Sequence, residues 1–274
     1  MFRNRAVVLD VAGTMLEMYR VAKDIPKNVI IPKVVTTHLV MEKDGRALVV
    51  PHIEPATIMK ADPQTPLSTF FKGKDEQIKI SCSSTPVSEK EACLIILDSK
   101  AKIGDVQETL AAVCARCPAS YASYCASGFI VDAEIEEVTY SVSTGGKPFP
   151  CLQEVLDELT NMGIDIYVAS GDSMRSLSGL TKCQGIEPEN IYPASTPRKK
   201  EEVVSKLKDE YDLVVMVGDG LNDIYALKAA DLGILTVQQD SKPSEKLIQA
   251  ADQIINDIAE LPLVLREYSR EPIR

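Results

Sequence analysis

Three short segments set carboxylates, hydroxyls and small residues in arrangements able to move a phosphoryl group. Asp10-Val11-Ala12-Gly13-Thr14 follows the apolar run Ala6-Val7-Val8-Leu9. Ser170-Gly171-Asp172 and Gly218-Asp219-Gly220-Leu221-Asn222-Asp223 also follow apolar runs, and a basic segment, Pro197-Arg198-Lys199-Lys200, precedes the last. A carboxylate can attack phosphorus and hold the group as an acyl phosphate. Mg2+ prefers oxygen ligands, which Asp10, Asp219 and the Ala12 backbone carbonyl could supply. A lysine neutralises charge on the nucleophile and the transferring group. A hydroxyl and backbone N–H groups in a loop, as at Ser170 and Gly171, suit phosphate oxygens. Each segment alone has an ordinary structural reading. Asp followed by Gly often makes only a turn, Asp172 and Asp223 suit helix N-caps, and Lys200 suits a solvated helix face. Their order, each at the end of an apolar run, makes the combination specific.

The elements that must hold these segments read as α/β. Residues 6–10 have the character of a buried parallel strand delivering a carboxylate at its C-terminal end. From about residue 150 onward, strands at 164–169, 213–217 and 232–235 alternate with helices. The helices are expected at 151–161, 173–182, 198–210, 221–230, 243–250 and 258–268. Such alternation gives a doubly wound parallel sheet covered on both faces, with ligands beyond the carboxyl ends of the strands. Residues 20–135 differ. They are rich in Pro, Lys, Thr and Ser, with strand-like pieces at 34–41, 47–50, 77–80 and 93–97 and one helix at 105–116. The expected organisation is a core of residues 1–19 and 136–274 carrying an inserted α+β cap domain, 20–135, with re-entry through 130–142.

The chain has 274 residues, is 45% hydrophobic, and carries a formal net charge of −10. That balance argues against a protein whose main partner is nucleic acid, since such binding needs a basic face. No run approaches the roughly 20 apolar residues of a transmembrane helix, and the first residues lack a signal-peptide pattern. With seven scattered cysteines, these features lead us to expect a cytoplasmic protein.

The four segments resemble, in order, the four motifs of the haloacid dehalogenase (HAD) superfamily. Val-Met-Val-Gly-Asp-Gly-Leu-Asn-Asp (215–223), followed by Ala226-Leu227 and Ala229-Ala230-Asp231-Leu232-Gly233, is similar to the phosphorylation domain of P-type ATPases. Ala-Ser-Gly-Asp (169–172) resembles the Thr-Gly-Asp segment of that family, and Phe-Lys-Gly-Lys (71–74) its nucleotide-domain Lys-Gly element. The resemblance covers residues 6–14 and about 136–240. It implies a HAD-like Rossmannoid core and a Mg2+-dependent phosphohydrolase acting through an aspartyl phosphate. The substrate would be a small phosphorylated compound, ATP among the candidates. It implies Asp10 as nucleophile, Lys200 as the motif lysine with Lys199 as fallback, and Thr14, Ser170, Gly171 and Asn222 around the substrate. Asp10, Ala12 and Asp219 would hold the metal, and Asp223 would bind it through water or hold the lysine.

One position departs from the pattern. HAD phosphatases carry a second aspartate two residues after the nucleophile as general acid/base; P-type ATPases carry Thr, and this chain carries Ala12. Three outcomes fit: a slow ATPase-like cycle, a regulatory HAD fold with weak catalysis, or a substrate that needs no acid. The last resembles phosphonoacetaldehyde hydrolase, which uses a Schiff-base lysine; Lys23, Lys27 and Lys33 are the candidates. His38 and His52 read as structural or surface residues. Cys114, Cys117 and Cys125 have metal-like spacing without an obvious fourth ligand, and buried thiols are the plainer reading.

Overall fold

The computed structural model describes residues 4–51, 53–74, 77–117, 125–171, 177, 180, 184–239 and 242–268. In chain order its strands are β1 (Arg5–Leu9), β2 (Leu16–Asp24), β3 (Val29–Pro32), β4 (Arg46–Pro51), β5 (Ile78–Ser83), β6 (Ala126–Asp132), β7 (Glu137–Pro148), β8 (Ile164–Ala169), β9 (Ile191–Tyr192), β10 (Leu213–Gly218), β11 (Leu232–Thr236) and β12 (Gln253–Ile255). Its described α-helices are α1 (Thr36–Met41), α2 (Pro55–Lys60), α3 (Leu67–Phe70), α4 (Glu89–Asp98), α5 (Ile103–Cys114), α6 (Leu152–Asn161), α7 (Pro197–Leu207), α8 (Ile224–Ala229), α9 (Glu245–Ile248) and α10 (Leu261–Tyr268). Among the described residues, no helix is long and apolar enough to cross a membrane.

The chain forms two compact units, residues 1–18 with 146–274, and residues 19–145. The first is built on a sheet in the order β12-β11-β10-β1-β8-β9, every neighbouring pair parallel. The central β1, β10 and β11 are apolar nearly throughout, as strands buried on both faces must be. Val8, Val214, Met216 and Leu235 pack with Val203, Val204 and Leu207 of α7 and Ala226 and Leu227 of α8. Leu152, Val155, Leu156 and Leu159 recur at helical spacing and form the buried stripe of α6. Because the sheet is parallel, the ends of β1, β8, β10 and β11 lie along one edge. The order reverses at β1: β8 and β9 are added on one side, β10 to β12 on the other. This is the switch point where an open α/β sheet leaves a crevice.

The inserted unit is an α+β layer on the sheet β3-β2-β7-β6-β4-β5. One face, including Val49, Phe129 and Val131, packs under Ile58, Leu67, Ile96, Val106 and Leu110 of α2 to α5. The other packs Ala22, Ile130, Tyr140 and Val142 with Val40 of α1.

Several elements differ from the sequence reading. Residues 93–97 belong to α4, not to a strand. Ser88 Oγ accepts from the Glu91 N–H and the Glu91 carboxylate accepts from the Ser88 N–H, a capping box that starts a helix burying Ala92, Cys93, Ile95 and Ile96. Within 34–41, residues 36–41 form the short α1; its β-branched start suggests a strand, but packing of Val40 prevails over propensity. Residues 130–142 are not a re-entry strand. They span the β6–β7 hairpin, paired antiparallel from Ala126↔Thr144 to Asp132↔Glu137, so the chain returns to the first unit near 146 rather than 136. The helix expected at 243–250 shrinks to α9, and β9 and β12 are short edge strands. Of the helix expected at 173–182 only Leu177 and Leu180 are described, both buried and helical; Asp172 as its cap and His52 fall outside the described residues. His38 is exposed.

Candidate active site

β1 ends at Leu9, and the Asp10 N–H donates to the Val217 carbonyl of neighbouring β10 at 2.9 Å. The carboxylate therefore emerges at the switch point. The next residues fold into a tight turn, with the Gly13 N–H donating to Leu16 O at 2.8 Å and the Met15 N–H to Val11 O at 3.0 Å. Gly13 has φ +84, and a Cβ there would stand 1.9 Å from Asp219 Oδ2. Glycine is required twice, for its backbone angle and because the Asp219 carboxylate occupies the space a side chain would fill.

Lys200 lies in the first turn of α7. Thr196 caps that helix, its Oγ1 accepting from the Lys199 N–H at 3.3 Å, and Pro197 occupies the first turn. Lys200 shares the buried face of Val203, Val204 and Leu207 and is fully buried. Its ammonium donates to Asp10 Oδ1 at 2.5 Å and Asp223 Oδ1 at 2.6 Å. Lys199, by contrast, is exposed and donates to Pro193 O.

Asp223 is buried, and both its oxygens are engaged. Oδ1 takes the lysine, and Oδ2 accepts from the Asp219 N–H at 3.2 Å and the Gly220 N–H at 3.1 Å. A Cβ on Gly218 would stand 2.5 Å from the Asp223 carboxyl carbon, so Gly218 gives this carboxylate its seat. Asp10, Asp219 and Asp223 offer oxygens within 4.8 Å of one another. Three carboxylates thus gather here, two of them on the Lys200 ammonium, an excess of negative charge that a further cation would offset. Among the described residues Asp10 Oδ2 is buried with no hydrogen-bond partner, a costly state for a carboxylate oxygen unless a ligand completes it. Asp219 is half-exposed beside it. An oxygen-seeking divalent cation fits this donor set.

The electrostatics follow from burial and crowding. Burial, then the Asp223 charge, push the Asp10 carboxyl well above its ordinary range, with Lys200 pulling the other way. Burial works against the Lys200 ammonium, but the charges of Asp10 and Asp223 outweigh it and hold the lysine above its usual value. Lys200 is therefore a fixed positive charge between two carboxylates.

The remaining expected residues divide. Ser170 is buried just past β8, and the Leu9↔Val168 pairing puts it one strand over from the Asp10 turn. Thr14 is fully buried, its Oγ1 without a hydrogen-bond partner among the described residues. Ala12 is half-buried in the Asp10 turn. Gly171 and Asn222 are exposed, and Asn222 Oδ1 lies over Gly220. One contributor escaped the sequence reading. Gln238, beyond β11, donates to Thr14 O at 2.7 Å and accepts from the Ile258 N–H at 2.9 Å, clamping the turn after Asp10. Its only signal is its place past the carboxyl end of a core strand.

In the inserted unit, Lys23 is buried in ion pairs with Asp105 at 2.9 Å and Glu108 at 2.8 Å. Burial acts to lower it, but hydrogen bonds to Glu108 and Asp105 hold the ammonium above its ordinary value. A lysine that condenses with a carbonyl needs the opposite shift. Lys27 is likewise held up by Asp24, and Lys33 is exposed.

Residues 4–231 match the family of haloacid dehalogenase-like hydrolases. The chain is 31% identical over 258 residues to a soluble P-type ATPase-like phosphatase of Methanocaldococcus jannaschii, covering 93% of this chain and 91% of that protein. An 82-residue stretch is 35% identical to a probable copper-importing P-type ATPase A of Enterococcus hirae, 30% of this chain but 11% of that one. The crystal structure of a zinc-transporting PIB-type ATPase aligns with 96% of this chain and 40% of its own, at 15% identity and a TM-score of 0.46.

Proposed function

This chain belongs to the haloacid dehalogenase-like hydrolase family, and on that premise we propose that it is a Mg2+-dependent phosphohydrolase working through an aspartyl phosphate on Asp10. The observation that carries the proposal is the asymmetry of the Asp10 carboxylate. Oδ1 is held by Lys200, while Oδ2 is buried and has no hydrogen-bond partner among the described residues. An oxygen so placed is desolvated and uncommitted, as a carboxylate nucleophile should be.

In this reading Asp10 and Asp219 hold the metal with the Ala12 carbonyl. Asp223 orients Lys200 and the Asp219 loop, since its own oxygens are already committed. Mg2+, when bound, offsets the charge of phosphoryl oxygens facing the carboxylates. Asp10 Oδ2 attacks phosphorus, the bond to the leaving oxygen breaks, and water then attacks the phosphorus of the acyl phosphate, releasing phosphate and restoring Asp10. Lys200 keeps Oδ1 neutralised throughout, so that negative charge does not build up beside the incoming phosphoryl group. Ser170 binds a phosphoryl oxygen, with Gly171, Thr14 and Asn222 shaping the surrounding loops.

Ala12 sets the substrate class. Without a carboxylic acid at that position, the leaving oxygen departs unprotonated by the protein. Leaving groups that are stable as anions, those of acyl phosphates and of phosphoanhydrides such as ATP, are therefore favoured over alkyl phosphomonoesters. The setting is the reducing cytoplasm. The alternative, a regulatory protein on an inactive HAD core, draws on the same Ala12, and one experiment separates them. The chain is incubated with Mg2+ and acetyl phosphate, ATP, and aryl and alkyl monoesters, while phosphate release and acid-trapped covalent phosphate are followed. Activity should fall steeply as the leaving group becomes more basic, and an Asp10-dependent adduct should accumulate. No turnover and no adduct with any compound would leave the regulatory reading.

A further inference from the structure

The inserted unit contains a side-chain cluster that phosphoryl transfer does not use. Cys114 is the last residue of α5, and the Cys117 N–H donates to its carbonyl at 3.2 Å. Cys125 immediately precedes β6. The sulfurs of Cys114 and Cys125 are 3.6 Å apart, and the Cys117 thiol also hydrogen-bonds to Cys125. Cys125 is therefore the central sulfur, in contact with both others. It is buried, while Cys114 and Cys117 are half-buried, and all three are thiols.

Gly145, on β7, completes the arrangement. A Cβ there would stand 2.8 Å from Cys117 Sγ and 3.1 Å from Cys125 Sγ. The backbone of β7 thus leaves bare the space the sulfurs use. Isolated buried cysteines need no explanation beyond packing, but here Cys125 touches two other thiols beside a glycine wall, and the Cys114 and Cys125 sulfurs are close enough to share one ion between them.

Its chemistry discriminates among occupants. Mg2+ and Ca2+ require oxygen ligands. A structural zinc ion wants four donors, and among the described residues no third Cys, His, Asp or Glu donor gathers with the Cys114 and Cys125 sulfurs within 4.8 Å of both. A soft monovalent d10 cation is satisfied by two or three sulfurs and displaces thiol protons directly.

We propose that Cys114 and Cys125 bind one soft monovalent cation of the Cu(I) or Ag(I) class between two thiolates, with Cys117 packed against Cys125. Each S–H that becomes an S–metal bond releases one proton to solvent, and no electrons are transferred. Two thiolates and one cation leave a single negative charge at a partly exposed edge.

The test uses the full chain, reduced and anaerobic, titrated with Cu(I) against a chromogenic Cu(I) chelator. One ion per chain should bind, and Cys125→Ser should weaken it by about 100-fold or more. Substitution of Cys82, Cys93 or Cys151 should leave the affinity unchanged. A second measurement needs no variant: substoichiometric Ag(I) should protect Cys114 from iodoacetamide before it protects exposed Cys151. Unchanged affinity in a folded Cys125→Ser protein, or protection of Cys151 first, overturns the proposal. So does a reductant-reversible loss of two hydrogens from the trio without cation binding, which would mark a disulfide pair instead.

Discussion

Gly13→Ala isolates what the close approach of Asp219 contributes. The new Cβ would lie 1.9 Å from Asp219 Oδ2, where real contacts do not fall below 3.0 Å. The carboxylate or the turn must therefore retreat by about 1.1 Å, a displacement of the size that costs roughly 10²-fold in rate when it misplaces a reacting constellation. The φ of +84 at Gly13 adds backbone strain of about 1–2 kcal/mol. Gly163→Ala supplies the control. Gly163 also has positive φ, +67, but nothing lies within 4 Å of its would-be Cβ. Acetyl phosphate hydrolysis is measured over a Mg2+ titration, alongside thermal unfolding of both variants. Both should lose a few degrees of Tm, and only Gly13→Ala should lose about 10²-fold in kcat/KM and require more Mg2+. A folded Gly13→Ala protein within threefold of wild-type activity, or equal inactivation by Gly163→Ala, would refute the argument that Asp219 is positioned by the absence of a side chain.

Lys200→Met removes the cation held between two buried carboxylates, so it should cost about 3–5 kcal/mol in urea unfolding at neutral pH; a loss below about 1 kcal/mol would mean the pair is not a buried ion cluster in solution. Asp10→Asn should abolish turnover and the covalent adduct, by roughly 10⁴-fold or more. Because the Asp10 carboxyl is raised in the fold, its contribution to metal-free stability is complete below its ordinary pKa of 3.8 and is lost as pH rises through the raised value. In EDTA the stability of Asp10→Asn should therefore fall less with rising pH than that of wild type, and parallel Tm–pH curves would contradict this. Ala12→Asp should raise turnover of an alkyl phosphomonoester by about 10²-fold and that of acetyl phosphate much less; equal effects on both would show that leaving-group protonation is not what Ala12 lacks.

The core was legible because its physics is local. An apolar run of strand length ending in Asp or Ser, repeated with helices between, predicts both the sheet and the edge where its chemistry gathers. In the sequence only resemblance to a motif position favours Lys200 over Lys199, yet a physical signal exists: Lys200 stands in register with Val203, Val204 and Leu207, so it sits on the apolar face of its helix, where a charge needs a buried partner. Other features carried no such signal. A glutamine at 238 has no composition or period that marks it as a clamp. α1 is held by the packing of Val40, which only the assembled sheet supplies. α4 was hidden by reading its apolar stretch without the Ser88–Glu91 cap ahead of it.

The position of β1 in the sheet governs the order in which this protein can be made. β1 is complete at residue 9, yet its two partners are β8, starting at Ile164, and β10, starting at Leu213. Between them the ribosome must deliver all of residues 19–145, a unit with its own sheet and core. That unit can fold while the five residues of β1 wait unpaired, a hydrophobic strand with both edges open. The Asp10–Lys200 contact spans 190 positions, so the sheet closes late, through contacts of high sequence separation that slow folding. The same placement that sets the carboxylate at the centre of the sheet makes β1 the strand most exposed to misassembly during synthesis.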